Sequence, residues 1–386
     1  MTGATSTVIF CINGIPADSE ALKCPLPTGL TSDAPSMNYT QYFEALREAL
    51  QKNGWKPLCE SLETLTGTSW TSKGISRVRI DSVKHGALYH VAKIEVQAND
   101  QIYAFVMNSA MHPQRQKALE REWKTLQWLA NTPVAPYVPR CLYVGQGVWH
   151  DDQAAIWPFG FFLATWFEGF YEWHMEKGDD GTAATIRVWD ESSSGTVLSS
   201  TQTAELMEQA SYLLTLALDR KDFFQIYPWH HAAGDFVVAV DDRGLSVRLI
   251  SARNRAVLMP SGPLFHERFS ALAAFFFVLT FRMRVDRHRG TEDLVWASAQ
   301  WLEPVVRGFL RGWTDGASTY EPLTARDILS LLQAFDASDW EAVGSLLQED
   351  LVVDVDEGPL VLKRLQVHAR DLGDVLRRGT FQDVLV

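Results

Sequence analysis

The densest concentration of side chains able to do chemistry lies between Gln225 and Arg255, in QIYPWHHAAGDFVVAVDDRGLSVRLISARNR. Trp229, His230, His231, Gly234 and Asp235 crowd into its first third. Imidazoles that titrate near neutrality stand there beside a carboxylate that can take a proton or hold a cation. The His231-x-x-x-Asp235 spacing also suits a transition metal, although one loop then offers at most three ligands. A plainer reading is a hydrogen-bonded pair of loop histidines. Further on, Ser251, Arg253 and Arg255 supply a hydroxyl and two guanidinium groups, the donors that grip phosphate oxygens.

These residues need a rigid support, and the pattern around them provides one. Phe236 to Val240 is a short apolar run, Asp241-Asp242-Arg243-Gly244 is a turn, and Leu245, Val247 and Leu249 alternate with Ser246 and Arg248. This predicts a β-hairpin, with the polar loop at its entry. Upstream, Val91 to Ala98 alternates strictly and Ile102 to Asn108 is apolar on both faces, predicting two paired strands about Asn99-Asp100. A helix is predicted from Pro113 to Asn131, with Leu119, Trp123, Leu126 and Ala130 on one face and Glu122 at its edge. Val138 to Val144 and Phe161 to Phe167 read as two further strands, joined by a loop carrying Gly145, Gly147, Asp151 and Asp152.

Residues 1 to 37 read as a loose arm, and Tyr39 to Leu50 and Cys59 to Leu65 as lead-in helices. Beyond Gly169, a hairpin is predicted across Ile186–Asp190 and Thr196–Ser199, then a helix over 206–217 capped by Thr203. After Pro263 the chain reads as mostly helical, through Phe265–Arg284, Leu294–Arg311, Ala325–Phe335, Asp339–Leu347 and Leu360–Leu376. Arg282, Arg284, Arg287, His288 and Arg289 end the first of these helices, as a solvated cationic terminus or as an anion pocket.

Composition narrows the function classes. A hydrophobic fraction of 46% over 386 residues is ample for a large core. The formal net charge of -12 argues against nucleic acid or an anionic membrane as partner. The apolar run Val8 to Ile12 lacks a preceding basic region and does not suit a signal peptide, and Ala271 to Phe281 is too short for a membrane span, so a cytoplasmic location is expected. Four cysteines without a CxxC pair read as reduced thiols.

Strands, a helix bearing a glutamate, two more strands, then a helical half with a polar loop and hairpin: over roughly Ser82 to Gly312 this order resembles the aminoglycoside phosphotransferase and choline kinase branch of the protein-kinase-like superfamily. LEREWKTLQWLA followed by VPRCLYVG looks like that branch's glutamate-bearing helix and next strand, FFLATWFEGF like its entry to the hinge, and GDFVVAVDDRGLSVRLI like its post-catalytic hairpin. The resemblance implies an α+β, two-lobed fold, with an arm and lead-in helices at 1–81, an N-lobe at 82–168, a C-lobe at 169–320 and a helical extension at 321–386. It also implies ATP and magnesium as cofactors.

Several motif positions depart from the family. The strand position that should grip phosphate with Lys or Arg is Val106. The metal-holding Asn position falls on Asp235, His-Gly-Asp falls on Pro228-Trp229-His230, and the metal-binding Asp after the hairpin is Ser251. A second register places Ala233-Gly234-Asp235 on His-Gly-Asp but leaves Val240 at the Asn position. Phosphoryl transfer depends on positioning and charge neutralisation, so these losses predict a degenerate, pseudokinase-type protein. It is expected to bind a nucleotide, a phosphorylated ligand or a protein partner in the interlobe cleft, with His230, His231 and Asp235 at the catalytic position, Asp235 as metal ligand, and Glu122, Ser251, Arg253 and Arg255 toward the cofactor. Two alternatives are an active, divergent small-molecule phosphotransferase using Asp235 and His230, and a metal-dependent hydrolase on His230, His231 and Asp235.

Overall fold

The computed structural model describes residues 6–27, 36–86, 89–190, 194–229, 232–290, 293–316 and 323–385. Contact clustering divides the chain into two units, one of residues 1–127 with 139–168, the other of 128–138 with 169–386. The apolar run at the amino terminus belongs to a strand rather than to a loose arm. β1 (Thr7–Ile12) turns at Asn13 and Gly14, both at positive φ, into β2 (Ile15–Pro16) and lies parallel to β3 (Ile75–His85). β3 begins before the boundary expected at residue 82 and runs across it. Its alternation of Val78 and Ile80 with Arg77, Arg79 and Asp81 gives one buried and one polar face.

The rest of this sheet is antiparallel: β4 (His90–Ala98), β5 (Gln101–Ala110), β6 (Cys141–His150) and β7 (Ile156–Thr165), in the spatial order β2-β1-β3-β4-β5-β7-β6. One face is covered by α1 (Tyr39–Thr66), which begins in a capping box. The Asn38 side chain accepts from Gln41 N–H, and the Gln41 side chain accepts from Asn38 N–H. Non-helical dihedrals at residues 52–55 break α1 into the two pieces the sequence suggests. Tyr42, Phe43, Leu46, Leu58 and Leu62 pack on Ile80, Ile94, Val96, Phe105 and Met107. Each such fully buried apolar side chain contributes about 1.5–3 kcal/mol.

Gly145 and Gly147, expected in a loop, lie inside β6. A Cβ on Gly147 would come within 2.5 Å of Phe159 Cζ, and one on Gly145 within 2.7 Å of Phe161 Cζ. Glycine at these positions lets the two rings of β7 lie across the neighbouring strand. α2 (Pro113–Leu129) buries Leu119, Leu126 and Leu129, while Ala130, expected on that face, is exposed.

The second unit opens with β8 (Trp173–Lys177), β9 (Thr182–Val188) and β10 (Thr196–Val197), then α3 (Ser200–Leu216). The cap of α3 is Ser199, paired with Gln202, rather than Thr203, which is buried within the helix. β11 (Gln225–Ile226) and α4 (Ala232–Asp235) lead into the expected hairpin of β12 (Phe236–Asp241) and β13 (Gly244–Leu249), and β14 (Arg255–Ala256) returns to pair with β11. α5 (Phe265–Arg282) is buried along its second half.

The helix expected over 294–311 splits at Ser298. Its start continues the strand pair β15 (Val285–Arg287) and β16 (Leu294–Ala297), and only α6 (Leu302–Asp315) is helical. α7 (Ala325–Gln333), α8 (Ala337–Leu346), α9 (Gln348–Leu351) and α10 (Gly358–Arg378) follow, with Trp340 of α8 fully buried against Phe276 and Phe277. The expected extension 321–386 thus belongs to the second unit. The class is α+β, a sheet-bearing amino-terminal part and a largely helical carboxy-terminal part, as the sequence implies.

Candidate functional site

The hairpin that anchors the site is held by its own register and by a bridge to the chain upstream. Phe236 pairs with Leu249 and Val238 with Val247, while Tyr171 and Val238 exchange backbone hydrogen bonds of 2.9 Å. Asp235 sits where α4 runs into β12. Its carbonyl accepts from Ile250 N at 2.9 Å, which ties the far end of β13 to the entry loop, and its residue exposure is 1%. Its carboxylate faces the Arg253 guanidinium at 3.5 Å (Oδ1 to Nη2), and the Arg253 side chain is 28% exposed. Among the described site residues expected from sequence, the structure brings Asp235 and Arg253 together.

The others are placed differently. His230 and His231 lie outside the described residues. Ser251 Oγ is shielded from solvent and makes no hydrogen bond among the described residues. Arg255 ion-pairs with Asp219 at 3.3 Å and lies over the Phe224 ring at 4.7 Å, so its charge is engaged in packing this unit. Burial lowers its pKa, against the opposing pull of Asp219. Among the described residues no three His, Cys, Asp or Glu side chains gather as a metal-binding set.

The arginine series at the end of α5 forms neither a solvated terminus nor an open anion pocket. Arg282, fully buried, binds Glu357 at 2.7 Å; Arg284 binds Asp371 at 3.0 Å and covers Trp296; Arg287 binds Asp356 at 2.8 Å; Arg289 faces Glu176 at 3.3 Å. Acidic partners far along the chain answer each cation. Asp286, which drew no notice in the sequence, is also buried. It accepts from Met175 N at 2.7 Å and faces His174 Nδ1 at 3.5 Å.

In the first unit, Glu122 is 1% exposed rather than at a polar edge, and Tyr89 Oη donates to its carboxylate. Burial, and secondarily the Glu122 charge, pushes the nearby Cys141 thiol up to about 12. Val106 carries no charge, but Lys93 stands directly opposite it in the β4–β5 register, and directly opposed residues share a face of the sheet. Lys93 Nζ lies 2.9 Å from Glu168, 3.0 Å from Glu95 and 5.5 Å from the Trp166 ring centre. Burial opposes its charge, yet the two carboxylates outweigh burial and raise its pKa.

A second polar cluster, not singled out by sequence pattern, surrounds His85 and His90. His85 Nδ1 and His90 Nδ1 are 2.7 Å apart, and His85 Nε2 reaches Ser82 Oγ at 3.0 Å and Tyr39 Oη at 3.1 Å. Desolvation lowers His85 to about 4 and His90 to about 3, so both rings are neutral at pH 7. No helix among the described residues is long and apolar enough to cross a membrane.

No family model and no curated protein matches the chain. Solved structures do match, among them the crystal structure of Rad53 1-466 in complex with AMP-PNP, at 15% identity with a TM-score of 0.30. That match covers 61% of this chain, which spans only 53% of the solved one.

Proposed function

We propose that this chain is a kinase-like protein that has lost phosphoryl transfer and keeps a binding site for a phosphate-bearing ligand, a nucleotide or a phosphorylated small molecule. The element order supports the kinase-like reading: a largely antiparallel sheet with a helix carrying a buried glutamate between β5 and β6, then a helical part holding a short loop and hairpin. The observation that carries the loss of chemistry is the Asp235–Arg253 pair. Magnesium needs several hard oxygen ligands held in near-octahedral geometry. Here one carboxylate faces a guanidinium, and the position after the hairpin that should bring a second carboxylate holds Ser251.

The same pair supports binding. A guanidinium carries five N–H donors in a planar fork, and Arg253 faces Asp235 while its side chain keeps 28% exposure. Its fixed positive charge takes the part that a metal ion plays against phosphate oxygens. Ser251 Oγ, two residues earlier, has no partner among the described residues but is shielded from solvent, so Arg253 carries the contact.

A thermal-shift panel with ATP, ADP and GTP, each with and without magnesium, tests this. The melting temperature is expected to rise with nucleotide concentration to the same extent whether or not magnesium is present. A flat response to every nucleotide, or magnesium-dependent ATP consumption, would overturn the reading.

A further inference from the structure

Arg364, on α10, stands apart from the arginine series that ends α5. Each cation of that series meets a carboxylate within ion-pair distance, whereas among the described residues Arg364 meets none. Its side chain is half-buried, and its Nε is shielded from solvent without a hydrogen-bond partner. Its guanidinium lies 5.9 Å from the Trp296 ring centre, and that of Arg284 lies 4.3 Å from the same ring. Two cations therefore stand beside one indole, and Asp371 ion-pairs with Arg284 alone, at 3.0 Å. Asp180, in the turn between β8 and β9, also feels the Arg364 charge, but its Oδ1 accepts from Thr182 N at 2.9 Å and Thr182 Oγ1 at 2.7 Å. Burial above all, with the Arg364 charge acting in the same direction, lowers the Arg284 pKa to about 10 against the pull of Asp371. Like charges gathered at partial burial favour a counter-anion.

Two neutral donors stand with Arg364. Trp296 is 1% exposed, and its Nε1 has no partner among the described residues. An indole N–H can only donate, and burying it unpaired is costly. Ser298 follows two residues later on extended backbone, φ -66 and ψ 162, so its side chain projects to the same side as that of Trp296. It begins the helical turn 299–301, where a serine ordinarily caps an N–H. Here it makes no cap bond, and its Oγ is shielded with no partner among the described residues. α10 packs against this turn. Ser298 and Ala299 are half-buried and Gln300 is exposed, so the group opens to solvent at that end.

We infer that Arg364, Trp296 Nε1 and Ser298 Oγ form a binding site for a small oxyanion of the phosphate type, separate from the site at Arg253. A guanidinium, an indole N–H and a hydroxyl all donate, and a phosphate group answers them with several acceptor oxygens. It also brings the negative charge that Arg364 lacks and that a water molecule cannot supply. A metal cation does not suit the place, because two guanidiniums already stand there. The ligand is either free phosphate or the phosphate group of a larger molecule, and the chemistry of capture is the same.

The test is fluorine NMR of the full chain labelled with 5-fluorotryptophan, the Trp296 signal being the one lost in Trp296→Phe. Inorganic phosphate titrated at constant ionic strength should move that signal saturably, in Arg253→Ala as in the wild type, which separates this site from the other. Tighter binding of glycerol phosphate than of inorganic phosphate would assign the site to a phosphate group on a larger molecule, and the reverse order to free phosphate. Arg364→Met should weaken binding at least tenfold and, in phosphate-free buffer, leave the chain no less stable than the wild type. Ser298→Ala deletes no hydrogen bond made among the described residues; it should keep the phosphate-free melting temperature and weaken binding severalfold. A Trp296 signal that phosphate leaves unmoved, that chloride at equal ionic strength moves as far, or that moves equally in Arg364→Met would overturn the proposal.

Discussion

Replacing Arg253 by alanine removes the cation facing Asp235 and leaves a carboxylate on a residue of 1% exposure. Breaking a buried ion pair by removing one partner typically costs about 3–5 kcal/mol. The separation of 3.5 Å and the 28% exposure of Arg253 place this pair at the lower end, so a loss of about 3 kcal/mol is expected. For a unit of this size that corresponds to a fall of about 6–12 °C in melting temperature. The double variant Asp235→Asn with Arg253→Ala should recover most of the loss, because the uncompensated charge has gone. Differential scanning calorimetry reads all three chains in EDTA and again in millimolar magnesium. Magnesium should stabilise Arg253→Ala, whose Asp235 carboxylate then no longer faces the Arg253 guanidinium, and leave the wild type unmoved. An Arg253→Ala chain as stable as the wild type would refute the reasoning, as would a wild type that magnesium stabilises equally.

Two further outcomes follow from buried charge and buried imidazole. His85 and His90 bind protons more weakly in the folded chain than in the unfolded one, so their contribution is intact above about pH 6.5. It is lost as the pH falls through the folded values of about 4 and about 3. A His85→Gln, His90→Gln chain should therefore show a flatter stability profile between pH 6.5 and pH 4, read as urea midpoints; an unchanged slope would count against the pair. Glu357→Ala leaves Arg282 fully buried without its carboxylate and should cost about 3–5 kcal/mol, while Arg282→Met with Glu357→Leu should regain most of that. Equal losses in the single and double variants would mean that the pair is not the source.

Periodicity carried much of the architecture and little of the site. β4 and β5 were legible because alternation over Val91 to Ala98 matches a half-buried strand, and the β12–β13 hairpin because turn residues separate two apolar runs. β3 is hard to read because Arg77, Arg79 and Asp81 crowd its polar face with charge, and β1 because a short apolar run has no helical or strand signature until it finds a parallel neighbour. Gly145 and Gly147 suggested a loop, since their reason for being glycine is two rings on another strand. The run from Leu294 reads as helix from its apolar spacing, but Leu294–Ala297 is a strand and the chain turns helical only after Ser298.

The site was less legible because its decisive contacts join residues distant in sequence. Asp235 and Arg253 were each singled out, but their pairing depends on the hairpin folding back so that Ile250 reaches the Asp235 carbonyl. Arg255 looked equivalent to Arg253 from its residue type alone. Only the fold assigns one to Asp219 and Phe224 and the other to Asp235. Glu122 read as an edge residue because helical spacing shows which face a residue is on and not how deep the neighbouring Tyr89 makes it.

The central claim is that a phosphate-bearing ligand is held by a fixed guanidinium in place of a metal ion, without turnover. Isothermal titration of the wild-type chain with ATP, in EDTA and then in magnesium, addresses it most directly. The account predicts saturable binding in EDTA, the same affinity within a few-fold in magnesium, and no ADP at the end of either titration. Binding that appears only with magnesium and is followed by ADP formation would contradict it.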